Sequence, residues 1–223
     1  MLDFAITRAW LPRERHGILT MIAVVNYGAG NLRSVAKALE HLGAPIVVTS
    51  DPREVERADA VILPGVGAAA DTMSGLARAG LVEPLRAAAQ AGKPFLGVCI
   101  GLQVLFTSSE EDGGAACLDI VPGRVRRLPA GVKVPHMGWN QVHLKASHPL
   151  FAGIPNDSFF YFVHSYYAEP ADPSLVLGET EYALRFCSVL ARENLVATQF
   201  HPEKSGALGL RIYANFCREA GQR

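Results

Sequence analysis

The sequence predicts an α/β fold: a doubly wound, mostly parallel sheet with antiparallel additions. Three observations carry this. Short apolar β runs alternate with amphipathic helical stretches through the first half of the chain, a pattern that builds parallel sheets through right-handed crossovers. Several of these runs end in glycine-rich turns, at 27–30, at 64–67 and around Cys99, where the carboxyl ends of parallel strands carry sites. Beyond Ser109 the helical stretches give way to β runs and turns, as expected for antiparallel additions to the same sheet.

Composition bounds the class. The 223 residues are 49% apolar and 19% charged, enough for a full core and unlike a disordered chain. Lys+Arg and Asp+Glu number 21 each, so nothing in the charge points to nucleic acid or a membrane surface as partner. No apolar stretch approaches the roughly 20 residues of a membrane span. Cys99, Cys117, Cys187 and Cys217 form no CxxC pair. That spacing argues against a zinc site or a disulfide framework, and a cytoplasmic location fits it. Residues 1–20 have no uninterrupted apolar h-region and read as a loose N-terminal extension. Residues 21–223 read as one domain, with no linker and no internal repeat.

Met21–Asn26 is the first strand, and Tyr27–Gly30 a glycine turn. Asn31 reads as the N-cap of a helix with apolar positions 32, 35, 36, 39 and 42, closed by Gly43. Gly-x-Gly here lacks the third glycine of a dinucleotide site, so a tight turn is the better reading. Pro45–Thr49 is a strand, and Asp51 with Pro52 opens a short helix. Ala58–Leu63 is the third strand, followed by Pro64-Gly-Val-Gly67 and helices near 68–79 and 81–91. Pro94–Val98 is the strand that delivers Cys99, with a helix expected from Ile100 onward. Later, 121–128 and 132–134 look like strands, and Pro135–Asn140 like a loop. Phe159–Val163 is a β run, 184–191 and 195–199 a hairpin, and 207–219 the last helix.

The chemistry gathers at three of these places. Cys99, with Gly97 and Gly101 two residues either side, has the pattern of a nucleophile elbow on a strand-to-helix turn. Its bland alternative is a buried cysteine at a tight turn. Gly65, Val66 and Gly67 lie where backbone N–H groups can form an anion nest or an oxyanion hole. His201 and Glu203 sit one residue apart after the last strand, and i and i+2 share a face in extended chain. A carboxylate so placed holds an imidazole in the tautomer that deprotonates a thiol. Together they define a nucleophile, a base and an orienter, and so acyl transfer through a thioester. The residues alone do not say whether the acyl group comes from an amide, an ester or a peptide. Cys117, Cys187 and Cys217 read as inert, and His41, His143 and His148 as surface or loop residues.

Gly97-Val-Cys-Ile-Gly-Leu-Gln103 together with Phe200-His-Pro-Glu203 resembles the class I (triad) glutamine amidotransferases. Asn26–Leu32, Pro122–Val125, Pro135–Asn140 and Val163–Tyr166 resemble, more narrowly, the glutaminase subunits of imidazole glycerol phosphate synthases, enzymes of histidine biosynthesis. The resemblance runs from Met21 almost to the end. It departs from the family in residues 1–20 and in the segment 111–118, read as a local loop clear of the site. It implies that Cys99 attacks the glutamine side-chain amide, that His201 is the base and that Glu203 orients it. It implies an oxyanion hole from Gly65, Val66, Gly67 and the N–H of Ile100. Gln103, His164, Ser165 and Tyr166 would hold glutamine. Ammonia would pass to a cyclase subunit, a TIM barrel, in a heterodimer, with Trp139, Asn140, Tyr161 and Lys204 as interface or channel residues. No cofactor or metal is implied. In this family the oxyanion strand can rest with one peptide reversed. Gly65 and Gly67 have the freedom for that, so low glutaminase activity is expected of the free chain. A glutaminase serving vitamin B6 synthesis, a cysteine peptidase or thiol esterase, and a non-catalytic interaction protein are the rival readings.

Overall fold

The computed structural model describes residues 20–28 and 31–221. The extension read from residues 1–20 lies outside these, Thr20 excepted, and so do Ala29 and Gly30 of the first glycine turn. In chain order the elements are β1 (Ile22–Val25), α1 (Leu32–His41), β2 (Ile46–Thr49), α2 (Pro52–Arg57), β3 (Ala60–Leu63), α3 (Ala69–Arg78), α4 (Val82–Gln90), β4 (Phe95–Val98) and α5 (Ile100–Gln103). There follow β5 (Phe106–Ser109), β6 (Ala115–Ala116), β7 (Val121–Arg127), β8 (His136–Leu144), β9 (Ser158–His164), β10 (Tyr166–Pro170), β11 (Val176–Tyr182), β12 (Leu184–Arg192), β13 (Leu195–Thr198) and α6 (Gly206–Gly221).

The sheet has a parallel centre in the order β2-β1-β3-β4-β13. Antiparallel pairing of β12 to β13, and of β10 to both β12 and β7, extends it. A branch runs from β12 through β11 and β8 to β9. Alternate residues of the central strands face opposite layers. Ala23, Val61, Leu63 and Phe95 pack with Val55, Leu76 and Leu85 of α2, α3 and α4. Ile22, Val24, Ile62 and Leu96 pack with Val35 and Leu39 of α1 and Ile212 and Phe216 of α6. Strands buried on both faces read as continuous apolar runs, which is why they stand out in the sequence. Among the described residues no helix is long and apolar enough to cross a membrane.

Local expectations met by the structure include the Asp51 cap, whose Oδ1 accepts from the Arg53 N–H at 2.9 Å, and the β12–β13 hairpin. Others are corrected. Asn31 does not cap α1; it sits at φ +66° and its side chain makes no cap bond. α5 spans only four residues before the chain turns into β5, a strand the sequence reading missed along with β6 and β11. Residues 132–134 are turn, and Pro135–Asn140 is mostly strand. Proline and glycine there read as loop signals. Pairing with β9, from His136 opposite His164 to Val142 opposite Ser158, overrides them. His148 is buried, and its Nδ1 accepts from the Leu150 N–H at 3.1 Å, capping a short 3₁₀ turn.

Candidate active site

The carboxyl ends of β1, β3, β4 and β13 converge on one edge of the sheet. Cys99 follows β4 at φ +56°, a conformation unusual for any residue but glycine, and its N–H donates to the Thr198 carbonyl at 2.7 Å. That bond ties the elbow to β13. The flanking glycines are required by the protein's own backbone rather than by an incoming substrate. A Cβ on Gly101 would lie 1.9 Å from the Leu63 carbonyl oxygen, and one on Gly97 2.7 Å from the Gly101 carbonyl oxygen.

His201 and Glu203 follow β13, whose Thr198 pairs with Val98 of β4. Their contact is made by a 3₁₀ turn over Pro202–Lys204, not by extended chain as the sequence spacing suggested. The His201 Nδ1–H donates to Glu203 Oε1 at 2.7 Å, which leaves Nε2 as the proton acceptor. Burial disfavours a charged ring at His201. The Cys99 sulfur and the Glu203 carboxylate outweigh it and push the imidazole up, to about 10. The raised value belongs to a ring beside a thiolate: it favours imidazolium and thiolate together, the state in which the thiol proton already rests on the ring. Nε2 is buried and makes no hydrogen bond within the described residues.

A cavity of about 380 Å³ opens at Cys99. Val66, Gly67, Ile100, Gln103, His164, Ser165, Tyr166 and Lys204 are among the residues that line it. Gly65 has no room for a side chain: a Cβ would lie 1.8 Å from the Tyr27 hydroxyl and 2.4 Å from Ile100 Cγ2. Gly67, at φ +108°, has open space around it. The Tyr166 carbonyl accepts from Gln103 Nε2 and from the His164 ring, both at 2.8 Å, so its two lone pairs are already taken.

Trp139 and Tyr161 are cross-strand partners on β8 and β9, in edge-to-face contact at 6.2 Å, and Lys204 Nζ lies 5.8 Å above the Tyr161 ring. Trp139 is 55% exposed, with Met137 at 60% and Phe159 at 52% on the same hairpin. Asn140 is not part of that face. Its amide donates to the Glu181 carbonyl at 3.0 Å and lies 3.2 Å from His136 Nε2.

Four residues at the site went unnoticed in the sequence. The Asn31 side-chain amide donates to Glu203 Oε1, and the Tyr213 hydroxyl donates to Glu203 Oε2 at 3.2 Å. Gln199 Nε2 lies 3.8 Å from Cys99 Sγ. Glu111 lines the cavity and accepts from the Ala69 N–H at 2.7 Å, so the segment 111–118 does touch the site. Burial pushes the Glu111 carboxyl up, against the pull of that N–H. Only Asn31 carried a signal, as a polar residue just past a strand end, and there the capping rule misassigned it. Of the remaining thiols, Cys117 and Cys187 are buried and Cys217 is partly so; desolvation chiefly pushes them up to about 11, 12 and 11, which keeps them unreactive.

A cysteine elbow, a histidine–glutamate pair and a glycine-rich strand end stand on a mixed sheet with helices on both faces. The sequence profile of class-I glutamine amidotransferases matches residues 23–220, and the chain belongs to that family. It is similar to the imidazole glycerol phosphate synthase subunit HisH of Dehalococcoides mccartyi strain CBDB1, 55% identical over 200 residues that cover 90% of this chain and 98% of that one. It is similar also to the subunit of the same name from Moorella thermoacetica, 55% identical over 195 residues, 87% and 93% of the two chains. Among solved structures, a glutamine amidotransferase crystal structure superposes with a TM-score of 0.70 at 19% identity, over 89% of this chain and 98% of that one. PurLQS from Thermotoga maritima superposes with a TM-score of 0.69 at 17% identity, over 91% and 98%. At those identities the two structures speak to the fold alone.

Proposed function

We propose that this chain is the glutaminase subunit of an imidazole glycerol phosphate synthase, releasing ammonia from glutamine for a cyclase partner in histidine biosynthesis. One observation carries the chemistry: Cys99, which lines the cavity, and the His201–Glu203 pair follow the ends of adjacent parallel strands. The names of relatives about half identical along nearly their whole length support the particular reaction.

In this reading glutamine enters with its side-chain amide at Cys99. His201 Nε2 takes the thiol proton while the sulfur attacks the amide carbon. The oxyanion forms against the peptide N–H groups of Gly65–Gly67 and the N–H of Ile100, worth roughly 3–4 kcal/mol per donor. The C–N bond then breaks, His201 returns its proton to the leaving nitrogen, and ammonia departs from a glutamyl thioester. Water, deprotonated by the same ring, hydrolyses the thioester and restores the thiol. Side chains and water handle every proton and electron pair, so the reading includes no cofactor.

The rest of the cavity supplies recognition. Gln103 has both amide hydrogens committed, to the Tyr166 carbonyl and to Gln199 Oε1 at 3.1 Å, so the atom it can offer a ligand is its oxygen. Glu111 is the carboxylate among the lining residues, suited to the α-ammonium of glutamine. Backbone of His164–Tyr166 borders the substrate. The cyclase, a TIM barrel, would seat on the exposed Met137, Trp139 and Phe159, with Tyr161 and Lys204 beside the cavity mouth, and take ammonia there. The four cysteines are free, which suits a cytoplasmic heterodimer.

The test is a synthase assay of the chain with its co-purified cyclase, driven by glutamine or by ammonium salt. Cys99→Ala should lose glutamine-driven synthesis to background and keep ammonium-driven synthesis. A Cys99→Ala complex that still uses glutamine would remove the assignment.

A further inference from the structure

A hydrogen-bonded chain runs from β8 to the nucleophile, and it includes side chains, those of Asn140, His136, His164 and Gln199, that the mechanism above leaves idle. Asn140 Nδ2 lies 3.2 Å from His136 Nε2, His136 Nδ1 lies 2.9 Å from His164 Nε2, and His164 Nδ1 lies 2.8 Å from the Tyr166 carbonyl. One assignment of protons satisfies every link. The carbonyl can only accept, so His164 carries its proton on Nδ1 and accepts at Nε2. His136 therefore donates from Nδ1 and accepts at Nε2, where an Asn140 N–H points. The second Asn140 hydrogen goes to the Glu181 carbonyl. At the inner end Gln103 donates to Tyr166 and to Gln199, whose own amide faces the Cys99 sulfur.

The geometry of β8 is bent to make this possible. Residues four apart in an extended strand stand roughly 13 Å apart. Between His136 and Asn140 lies Gly138 at φ +137°, a conformation that favours glycine, and the two side chains touch. His136 and His164 are 4% and 5% exposed, so water does not stand in for a lost link. Burial also holds both rings neutral, His136 down to about 4 and His164 to about 3, which keeps the single tautomer in place.

We propose that His136 and His164 are positioning residues for glutamine binding: they hold the Tyr166 carbonyl, and through it the Gln103 amide, so that Gln103 turns its oxygen to the substrate. This rests on the reading of the cavity as a glutaminase site. If the His164 donor is lost, the Tyr166 carbonyl is free to move. Gln103 then loses the constraint that sets which end of its amide meets the ligand.

Packing alone is a separable role. The His136 ring stacks on Tyr182 at 4.0 Å and on Phe162 at 4.9 Å, and a phenyl ring at 136 preserves those contacts while removing both hydrogen bonds. In the complex with cyclase, glutamate release is measured against glutamine concentration for wild type, His136→Phe, His136→Gln and His136→Asn, with melting temperatures as the check on folding. The asparagine amide reaches the Nδ1 position and keeps the donor to His164; the glutamine amide reaches the Nε2 position and loses it. The expected result is a KM about tenfold higher for His136→Phe and His136→Gln, kcat within about threefold, and His136→Asn near the wild-type KM. Should the phenylalanine variant not fold, the Gln/Asn contrast carries the test by itself. Wild-type complex that releases no glutamate would overturn the glutaminase reading itself. Active wild type with the same KM in all three variants, or a loss that asparagine does not repair, would overturn the positioning role.

Discussion

Glu203 has no exposed side-chain surface, and a carboxyl group in that position needs its oxygens occupied. Oε1 is shared by the His201 ring and the Asn31 amide, and Oε2 takes the Tyr213 hydroxyl. Burial, followed by the charge of Glu203, pushes the Tyr213 phenol up well beyond its ordinary value, so it stays a donor. Asn31 matters for a second reason: it holds the contact from φ +66°, where asparagine is tolerated and most residues are not. Asn31→Gly removes the side chain without straining that backbone. It should lower kcat for glutamate release about tenfold and leave KM nearly unchanged, since an orienting hydrogen bond to a carboxylate is at stake and the substrate cavity is not. Steady-state kinetics of the complex check this; an unaltered kcat would mean that His201 and Tyr213 hold Glu203 unaided.

Among the elements, β3, β4 and α5 form one close-packed unit, and the elbow is a consequence of how near they lie. Gly101 touches the end of β3 with no room for a methyl group, and Gly97 touches α5. Gly101→Ala must displace backbone at one or the other. Overpacking of this kind costs roughly 1–3 kcal/mol, about 2–12 °C in melting temperature for a domain of this size. Glutaminase activity should fall with it, because Cys99 is two residues away. Calorimetry of the purified variant decides; a melting temperature within a degree of wild type would show that α5 shifts freely. The turn at 64–67 is packed in the same manner at one end only. A side chain has no room at Gly65, where a Cβ would meet Tyr27 and Ile100, and open space at Gly67.

For the molecule as a whole, three buried histidines set the acid limit. His136, His148 and His164 are held down by burial, to about 4, 4 and 3, and His164 in addition faces the charges of His136 and His201. Once unfolded, each takes up a proton near pH 6.5. Between pH 6.5 and about pH 4 the unfolded chain therefore binds protons that the folded chain does not. Folding stability falls as pH falls, by roughly 1.4 kcal/mol per pH unit for each such histidine. His201 runs the other way: its pKa is raised, so its contribution is complete below pH 6.5 and is lost only as pH climbs toward 10. It does not offset the acid loss. Urea titrations at pH 7 and pH 5 should show a clear loss of stability at pH 5, reduced in His148→Gln. Equal stability at both values would show that the rings protonate within the folded chain.

What the sequence determined by itself was local in kind. Continuous apolar runs marked the central strands because both their faces are buried, and Asp51-Pro52 marked a helix start through contacts two residues apart. Cys99 between glycines and His201 before Glu203 were legible because strand ends put them in place and neighbouring residues complete them. Tertiary structure decided the remainder. Asn31 meets Glu203 across 172 residues, and the two rings His136 and His164 meet across 28 because β8 pairs with β9 in that register. The strand character of Pro135–Asn140 came from the same pairing, against its own proline and glycine. Glu111 reached the cavity through a loop that no periodicity describes. Such contacts depend on which backbone ends the sheet brings together, and a residue's own neighbours in sequence carry no trace of a partner that only the folded sheet supplies.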